Sequence, residues 1–287
     1  MLFLDQARKI ALSFYCDNAV KNVSQFSVMA ALFYFYSGTF SFTSYLVGLV
    51  GFLLAYNFIY ALNDTMNYRQ DMKSSAKRIF KKNSMKSPIH TGSLTKRELM
   101  AGSLILTLFG LAICYSVNPI FFLLVSAAIA SNFIHSSGVF DSGKILPLMA
   151  INFIFMQAVK FSSVWFTQTD FLDYRLILPT LYMSVLYTML YLGYKVGLKK
   201  KLAVDFKSLP IMVLLILVPL AAMWYQQEVL PVFALNLVLI LATFFAIVKI
   251  HGGRGGINLY GVFMVGFHAN MAVLISTLVA YGYLMHV

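Results

Sequence analysis

Apolar runs long enough to cross a membrane recur along the whole chain. A helix that spans a bilayer needs about 20 mostly apolar residues. Runs of this kind, separated by polar or proline-containing breaks, predict nine spans at residues 22–38, 43–62, 98–116, 118–134, 145–166, 176–194, 209–225, 229–249 and 259–284. Residues 10–38 leave room for an interfacial helix before the first span. The pattern therefore predicts an all-α, polytopic membrane helical bundle of about nine transmembrane helices, formed by one domain over residues 1–287.

The composition supports a membrane protein and excludes several other classes. Hydrophobic residues make up 60% of the 287 positions and charged residues only 11%. A soluble domain has roughly 45–50% apolar and about 25% charged residues. A soluble enzyme and a disordered chain are therefore both excluded. The two cysteines, Cys16 and Cys114, lie in separate apolar segments, so a disulfide-stabilised scaffold is excluded as well.

The charge distribution predicts which ends of the helices face the cytoplasm. The chain has 22 Lys and Arg against 10 Asp and Glu, a formal net charge of +12. Most of the basic residues lie in two connections, within residues 69–97 and 195–207. Basic loops of membrane proteins stay cytoplasmic, which explains the excess without a nucleic-acid partner. We therefore expect a multi-pass protein with a cytoplasmic N-terminus and the even-numbered connections on the cytoplasmic side.

Three oxygen-bearing side chains follow the second span at helical spacing. Asn63, Asn67 and Asp71 are four residues apart, so on a helix they share one face. Amide and carboxylate oxygens are the ligands that Mg²⁺ prefers, and Mg²⁺ often completes its shell with substrate phosphate. Polar residues at membrane depth are costly and usually have a function. The pattern is consistent with a Mg²⁺ site, the alternative being an ordinary solvated helix end.

Two motifs in this region resemble a known family. The sequence Asn63-Asp64-x-x-Asn67-x-x-x-Asp71 resembles the first Asp-rich motif of UbiA-type intramembrane prenyltransferases, N-D-x-x-D-x-x-x-D. Residues 83–95 are similar to the N-x-x-x-R-P-I-x-S-G-x-I-S segment of that family. The resemblance covers residues 57–97 in motif and the whole chain in architecture. Asn67 replaces an aspartate of the family pattern, and Ser87 replaces the arginine that precedes the proline.

The resemblance implies a Mg²⁺-dependent transferase that moves a prenyl group from a polyprenyl diphosphate to a small aromatic or lipid acceptor. It implies a bundle around a cavity that opens to membrane lipid, with the diphosphate at the cytoplasmic face. On this reading Asn63, Asn67 and Asp71 ligate the metal, and Asp64 and Asp71 are catalytic. The candidate diphosphate contacts are Lys77, Arg78, Lys82, Lys86, Tyr191 and Lys195.

The second Asp-rich motif of the family is missing. A D-x-x-x-D pair should close the sixth span, but its register falls on Leu190 and Tyr194, and no acidic residue occurs between Arg175 and Asp205. The lysines of this stretch, including Lys195, can contact phosphate as point charges. They can equally be a cytoplasmic anchor of the positive-inside kind.

Two other functions are compatible with the sequence. The missing acidic pair is consistent with a UbiA-like protein that has lost catalysis and binds a lipid or serves as a scaffold. A phosphoribosyl transferase acting on a polyprenyl phosphate is also possible, because Val20-Lys21-Asn22 is faintly similar to the W-x-K-N pattern of such relatives. A further open question is Lys160 in the fifth span, which either faces a cavity or extends to the membrane surface.

Overall fold

The computed structural model describes residues 2–73, 87–136, 146–200, 209–225, 229–251 and 259–287. These residues form α-helices and two short 3₁₀ turns, with no β-strand in the described ranges, so the all-α prediction is confirmed. The helices are α1 (Leu2–Leu12), α2 (Cys16–Ser37), α3 (Phe42–Lys73), α4 (Pro88–Thr91), α5 (Lys96–Val117), α6 (Pro119–Ser136), α7 (Leu146–Trp165), α8 (Ile177–Lys200), α9 (Leu209–Ala222), α10 (Leu230–His251) and α11 (Leu259–His286).

Each predicted span coincides with one long helix, namely α2, α3 and α5 to α11. Within the described residues, three segments are long and apolar enough to cross a membrane by length and composition: Phe42–Arg69, Lys96–Val117 and Gly266–His286. Pro119–Ile134 and Leu230–Thr243 are shorter apolar helices. The arrangement is consistent with nine spans, whose exact number stays a prediction.

Helix α3 is longer than its apolar run. The hydrophobic pattern predicts an end near residue 62, but the helix continues to Lys73. The added residues include neither Gly nor Pro, so nothing in the local sequence stops the helix. The polar residues that follow the second span therefore lie on a regular helix.

The chain divides into two compact units. The first, called here the N-terminal unit, contains Met1–Val23 and Ser41–Asn152; the second, the C-terminal unit, contains Ser24–Phe40 and Phe153–Val287. The single domain over residues 1–287 remains a prediction.

In the N-terminal unit, α3 and α5 pack with their backbones in close contact. A Cβ atom added to Gly110 of α5 would overlap the backbone nitrogen of Ala55 and lie 2.7 Å from the carbonyl oxygen of Gly51. On the same side of α5, the Thr107 hydroxyl donates to the Ala55 carbonyl oxygen at 3.1 Å. Small residues at a helix crossing permit this approach between membrane helices. The close crossing holds α3, and with it the polar end of the helix, against α5.

The segment between α1 and α2 is attached to the middle of α3. The side chain of Asn57, which is buried, accepts from the backbone N–H of Tyr15 at 2.9 Å and donates to the carbonyl oxygen of Ser13 at 2.8 Å. Near the start of α5, the ammonium group of Lys9 lies 2.8 Å from Asp5 and 3.0 Å from Glu98. These contacts position Tyr15 beside α3.

The C-terminal unit buries several polar side chains among apolar helices. Lys160 of α7 is only 4% exposed and donates to the side-chain oxygen of Gln25. The lysine is therefore buried within this unit, and the alternative that it extends to the membrane surface is wrong. Elsewhere in the unit, Tyr182 donates to Asn236 at 3.2 Å. Such interhelical hydrogen bonds replace the water that the membrane interior lacks.

We expect Gly110→Ala to destabilise the fold. Replacing Gly with Ala inside a helix normally stabilises it by about 1 kcal/mol, but here the new methyl group must push α3 away from α5. The melting temperature of the purified protein in detergent should fall. Ala112→Val adds bulk to an exposed position of the same helix and should leave the melting temperature nearly unchanged. An unchanged or raised value for Gly110→Ala would contradict the close crossing.

Candidate functional site

Asn63 and Asn67 share one face of α3, as their spacing predicts. The side-chain N–H of Asn67 donates to the side-chain oxygen of Asn63 at 2.7 Å. Asn63 is exposed and Asn67 is half-buried, so the pair is open to a ligand. Asp71 follows one turn later on the same helix, and its side chain lies outside the described part of the structure.

The donor atoms of this face suit a hard cation. Among the described residues, no group of three or more His, Cys, Asp and Glu side chains could hold a metal ion, so a site here would need the amide oxygens. The oxygen of Asn63 is an acceptor in the amide pair, and rotation of the Asn67 amide would turn its oxygen toward the same side. Two amide oxygens and the carboxylate of Asp71 form an oxygen-only donor set, which fits Mg²⁺ and leaves positions for phosphate oxygens or water.

Asp64 lies on the buried side of the same helix. It is 7% exposed, and its carboxylate accepts a hydrogen bond from the hydroxyl of Tyr15 at 2.9 Å. Burial and the adjacent negative charge of Asp64 raise the pKa of Tyr15 well above its ordinary value, so the phenol stays protonated. Asp64 therefore does not face the same way as the Asn63–Asn67 pair, although the two are adjacent in sequence.

The segment around Pro88 packs beside this part of α3. Ser87, in extended conformation, precedes the short helix α4, and Gly92 ends it with φ +77°. The hydroxyl of Ser87 and Nδ1 of His90 are hydrogen-bonded at 2.6 Å. The His90 ring lies 5.0 Å from the ring of Tyr68 on α3. The two motifs that are separated in sequence therefore meet in the N-terminal unit.

A cation lies next to this contact. The ammonium group of Lys96, at the start of α5, is 4.5 Å from the centre of the Tyr68 ring. The Tyr68 ring packs against a buried apolar cluster that includes Tyr15, Ile89 and Leu94. Lys96 is therefore a described basic residue beside Tyr68, near the polar end of α3.

A row of aromatic rings continues from the polar end of α3 into its apolar part. Phe52, Tyr56 and Tyr60 are one turn apart, with ring centres separated by 5.3 and 5.9 Å. The hydroxyl of Tyr56 accepts from Asn132 at 3.0 Å, and that of Tyr60 accepts from Asn22 at 3.1 Å. The hydrogen bonds fix the orientation of these rings.

The other candidate residues divide into two groups. Lys77, Arg78, Lys82 and Lys86 lie outside the described residues. Tyr191 and Lys195 lie on α8, and their side chains are outside the described part as well.

Sequence reasoning missed two residues of this site. Tyr15 precedes the first span, more than forty positions before Asp64, in a stretch without a recognisable motif. Lys96 belongs to the polar connection after the second span, and its distance from Asn63 along the sequence does not correspond to a helical period. The sequence therefore did not indicate that Lys96 lies near this end of α3. A sequence signal was available only for the aromatic row, whose rings recur every four residues.

Comparison with known proteins matches both the sequence and the fold to one family. Residues 24–141 match the model of the UbiA prenyltransferase family. A comparison with curated protein sequences gives no match.

Solved structures of a UbiA homologue from Archaeoglobus fulgidus share the fold. The structure bound to GPP and Mg²⁺ has a TM-score of 0.63 at 15% identity, covering 96% of this chain and 99% of the other. The structure bound to DMAPP and Mg²⁺ has a TM-score of 0.57 at 15% identity, covering 97% and 96%. A further structure of a UbiA homologue from the same organism has a TM-score of 0.55 at 16% identity, covering 100% and 99%.

These matches agree with the motifs on α3 and around Pro88, which lie within the matched residues 24–141. The sequence match over residues 24–141 and the shared fold over nearly the whole chain both support the resemblance of this protein to the UbiA prenyltransferase family.

Proposed function

We propose that this protein is a membrane-embedded transferase that moves a prenyl group from a prenyl diphosphate to a small aromatic or lipid acceptor. The observation that carries the proposal is the open Asn63–Asn67 amide pair on α3, one turn before Asp71 and beside the packed segment around Pro88. The A. fulgidus structures of the same fold are described as bound to GPP or DMAPP together with Mg²⁺. A diphosphate and Mg²⁺ are therefore the ligands to test at this face.

In the proposed site, Asn63, Asn67 and Asp71 hold Mg²⁺. When bound, Mg²⁺ would stabilise the negative charge that develops on the leaving diphosphate. Lys96, held against the Tyr68 ring, adds positive charge at the same end of α3. The basic residues after Asp71 (Lys77, Arg78, Lys82 and Lys86) serve as further diphosphate contacts in this proposal.

Asp64, which the resemblance predicts to be catalytic, has a positioning role in this proposal, because it holds the polar end of α3 in place. Its buried carboxylate is bonded to Tyr15, which is itself anchored to Asn57 through its backbone. A fixed helix keeps the oxygens of Asn63 and Asn67 at a constant separation. Such preorganisation lowers the cost of binding and of reaching the transition state.

The prenyl chain needs an apolar surface with electron-rich faces. Aromatic rings attract a cation placed over them, and an allylic carbocation is a cation of this kind. The row formed by Phe52, Tyr56 and Tyr60 begins one turn from Asn63. Phe52 and Tyr56 are buried, so in this proposal Tyr60, at the end of the row nearest the cation site, is the ring that meets the prenyl chain.

The lysines of α8 replace the second metal site in this proposal. Lys195, with Tyr191 one turn before it, would contact the diphosphate directly, because the stretch between Arg175 and Asp205 has no carboxylate to bind a second cation. The same absence favours the second candidate function, a lipid-binding or scaffold protein without catalysis. We place the active face on the cytoplasmic side, where the basic connections are expected.

Geranyl diphosphate with Mg²⁺ should raise the melting temperature of the purified protein, and each alone should raise it much less. A ligand at one hundred times its Kd adds about 2.7 kcal/mol of stability to the folded state. Asp71→Asn should remove most of the joint shift. Asp170→Asn, at an exposed position of the C-terminal unit, should retain it. No shift in the wild-type protein at millimolar ligand would favour the scaffold function.

Asn67→Asp should increase the affinity for Mg²⁺. The substitution adds a negative ligand and removes the N–H group that bonds to Asn63, so the half-saturating Mg²⁺ concentration should fall by roughly tenfold, in line with the dependence of affinity on ligand charge. Asn67→Leu should raise that concentration. The measurement is a Mg²⁺ titration of diphosphate release from geranyl diphosphate. Equal midpoints for both variants would exclude position 67 from the cation site.

Tyr15→Phe should destabilise the protein and reduce turnover. Loss of a hydrogen bond to a buried charged group costs about 1–3 kcal/mol, whereas Tyr115→Phe, at an exposed position, should cost little. Turnover should fall and the half-saturating Mg²⁺ concentration should rise, since Tyr15 holds, through Asp64, the helix that contains Asn63 and Asn67. Normal stability together with an unchanged Mg²⁺ midpoint would contradict the positioning role.

The same contact predicts a dependence on alkaline pH. Folding raises the pKa of Tyr15 above its value of about 10 in an unfolded chain. Its contribution to stability is therefore complete below that pH and falls as the pH rises above it. The difference in melting temperature between wild type and Tyr15→Phe should shrink above this pH. A constant difference up to the highest tolerated pH would contradict a buried, neutral Tyr15.

A further inference from the structure

A cavity that is open on one side lies at one end of the C-terminal unit. It has a volume of about 630 Å³ and is bordered by the ends of α2 and α7 and by the loop that leads to α8. Its wall contains Phe33, Tyr36, Trp165, Asp173 and Arg175. None of these residues belongs to the proposed transferase site.

The cavity lies where several helices of this unit end. Helix α2 ends at Ser37, α7 ends at Trp165 and α8 begins at Ile177. The last residues of α11 reach the same place, since the ring of His286 lies 3.0 Å from the carbonyl oxygen of Phe35. If these helices cross the bilayer, their common end marks a membrane surface.

The loop beside the cavity has the composition of a membrane interface. Phe171, Leu172 and Tyr174 are 79%, 60% and 74% exposed. Large side chains of this kind are normal where they contact lipid headgroups and the adjoining acyl chains, and tyrosine is enriched at that depth. The loop is held by a bond from Nε1 of Trp165 to the carbonyl oxygen of Phe171 at 3.1 Å.

A fixed pair of opposite charges lies in the wall of the cavity. The guanidinium of Arg175 donates from Nε and Nη2 to Asp173 at 2.9 and 2.6 Å. The guanidinium carbon also lies 4.6 Å from the centre of the Tyr36 ring. The bond from Arg175 holds the pKa of Asp173 below its ordinary value, so the carboxylate stays ionised. The wall therefore has one positive and one negative group and no net charge from this pair.

Charge complementarity decides between the common lipid headgroups. An anionic headgroup would meet Arg175 favourably but Asp173 unfavourably. A zwitterionic headgroup can direct its phosphate to the guanidinium and its ammonium to the carboxylate, and aromatic rings also attract an ammonium group. The apolar wall that Phe33 and Trp165 form, with ring centres 4.8 Å apart, suits the glycerol and upper acyl region.

We propose that this cavity binds a zwitterionic phospholipid from the adjoining leaflet. The phosphate contacts Arg175, the ammonium contacts Asp173, and the acyl chains run along the exposed aromatic loop. The proposal does not depend on the transferase function, because it uses none of the residues of α3.

Native mass spectrometry of the detergent-purified full-length protein tests the proposal. The probes are phosphatidylethanolamine and phosphatidylglycerol with identical acyl chains, each added at the same concentration. The wild-type protein should retain phosphatidylethanolamine in preference. Arg175→Gln should reduce the retained fraction at least fivefold, whereas Arg8→Gln, at an exposed position of α1, should not reduce it.

A second variant keeps the test valid if Arg175→Gln fails to fold. Ser37→Trp retains the charge pair and fills the cavity with a bulky ring, since Ser37 lies in its wall. It should lose phosphatidylethanolamine while its melting temperature without lipid stays within a few degrees of wild type.

Three results would overturn the proposal. The first is equal retention of the two lipids by the wild-type protein. The second is full retention of phosphatidylethanolamine by Ser37→Trp or by a folded Arg175→Gln. The third is displacement of the lipid by an equal concentration of glycerophosphoethanolamine, which would make the cavity a site for a soluble headgroup compound rather than for a membrane lipid.

Discussion

The organisation of the N-terminal unit depends on a buried hydrogen bond between Tyr15 and Asp64. A carboxylate that is removed from water needs a donor, because an unsatisfied buried charge costs several kcal/mol. Tyr15 provides that donor only if the segment before α2 lies against α3, and Asn57 holds the backbone of that segment in place. The polar end of α3 is thus fixed on its buried side, which leaves the opposite side open for a ligand.

One side of α3 has a structural role, and the other side contains the residues proposed to bind a ligand. Asp64 is buried and bonded within the unit, whereas Asn63 and Asn67 bond to each other at the surface. Adjacent residues of a helix point about 100° apart, so a continuous run of polar residues can place one side chain in the buried interior and the next at the surface. Asn67 in place of aspartate reduces the negative charge of the open face. The same substitution makes residue 67 the donor to the side-chain oxygen of Asn63, a role that a carboxylate could not have.

The C-terminal unit differs from the N-terminal unit in how it uses charge. Its buried lysine, Lys160, is bonded to the neutral side chain of Gln25, while the paired charges of Asp173 and Arg175 lie at the ends of the helices. Ion pairs are less costly near the membrane surface, where water and headgroups are available. The loop that contains the pair, together with its exposed aromatic residues, thereby forms a surface that is suited to lipid headgroups.

The sequence by itself determined the fold class and the positions of the long helices, and its motifs indicated the resemblance to the UbiA family. These properties follow from the length of apolar runs and from short-range spacing, both of which can be read without knowing which helices are neighbours. The face shared by Asn63 and Asn67 was predictable for the same reason. The tertiary structure decided what packs against that face: the continuation of α3 to Lys73, the partner of Asp64, the contact of His90 and Lys96 with Tyr68, and the cavity beside Arg175. Each of these depends on contacts between segments distant in sequence, and no periodic pattern encodes such contacts.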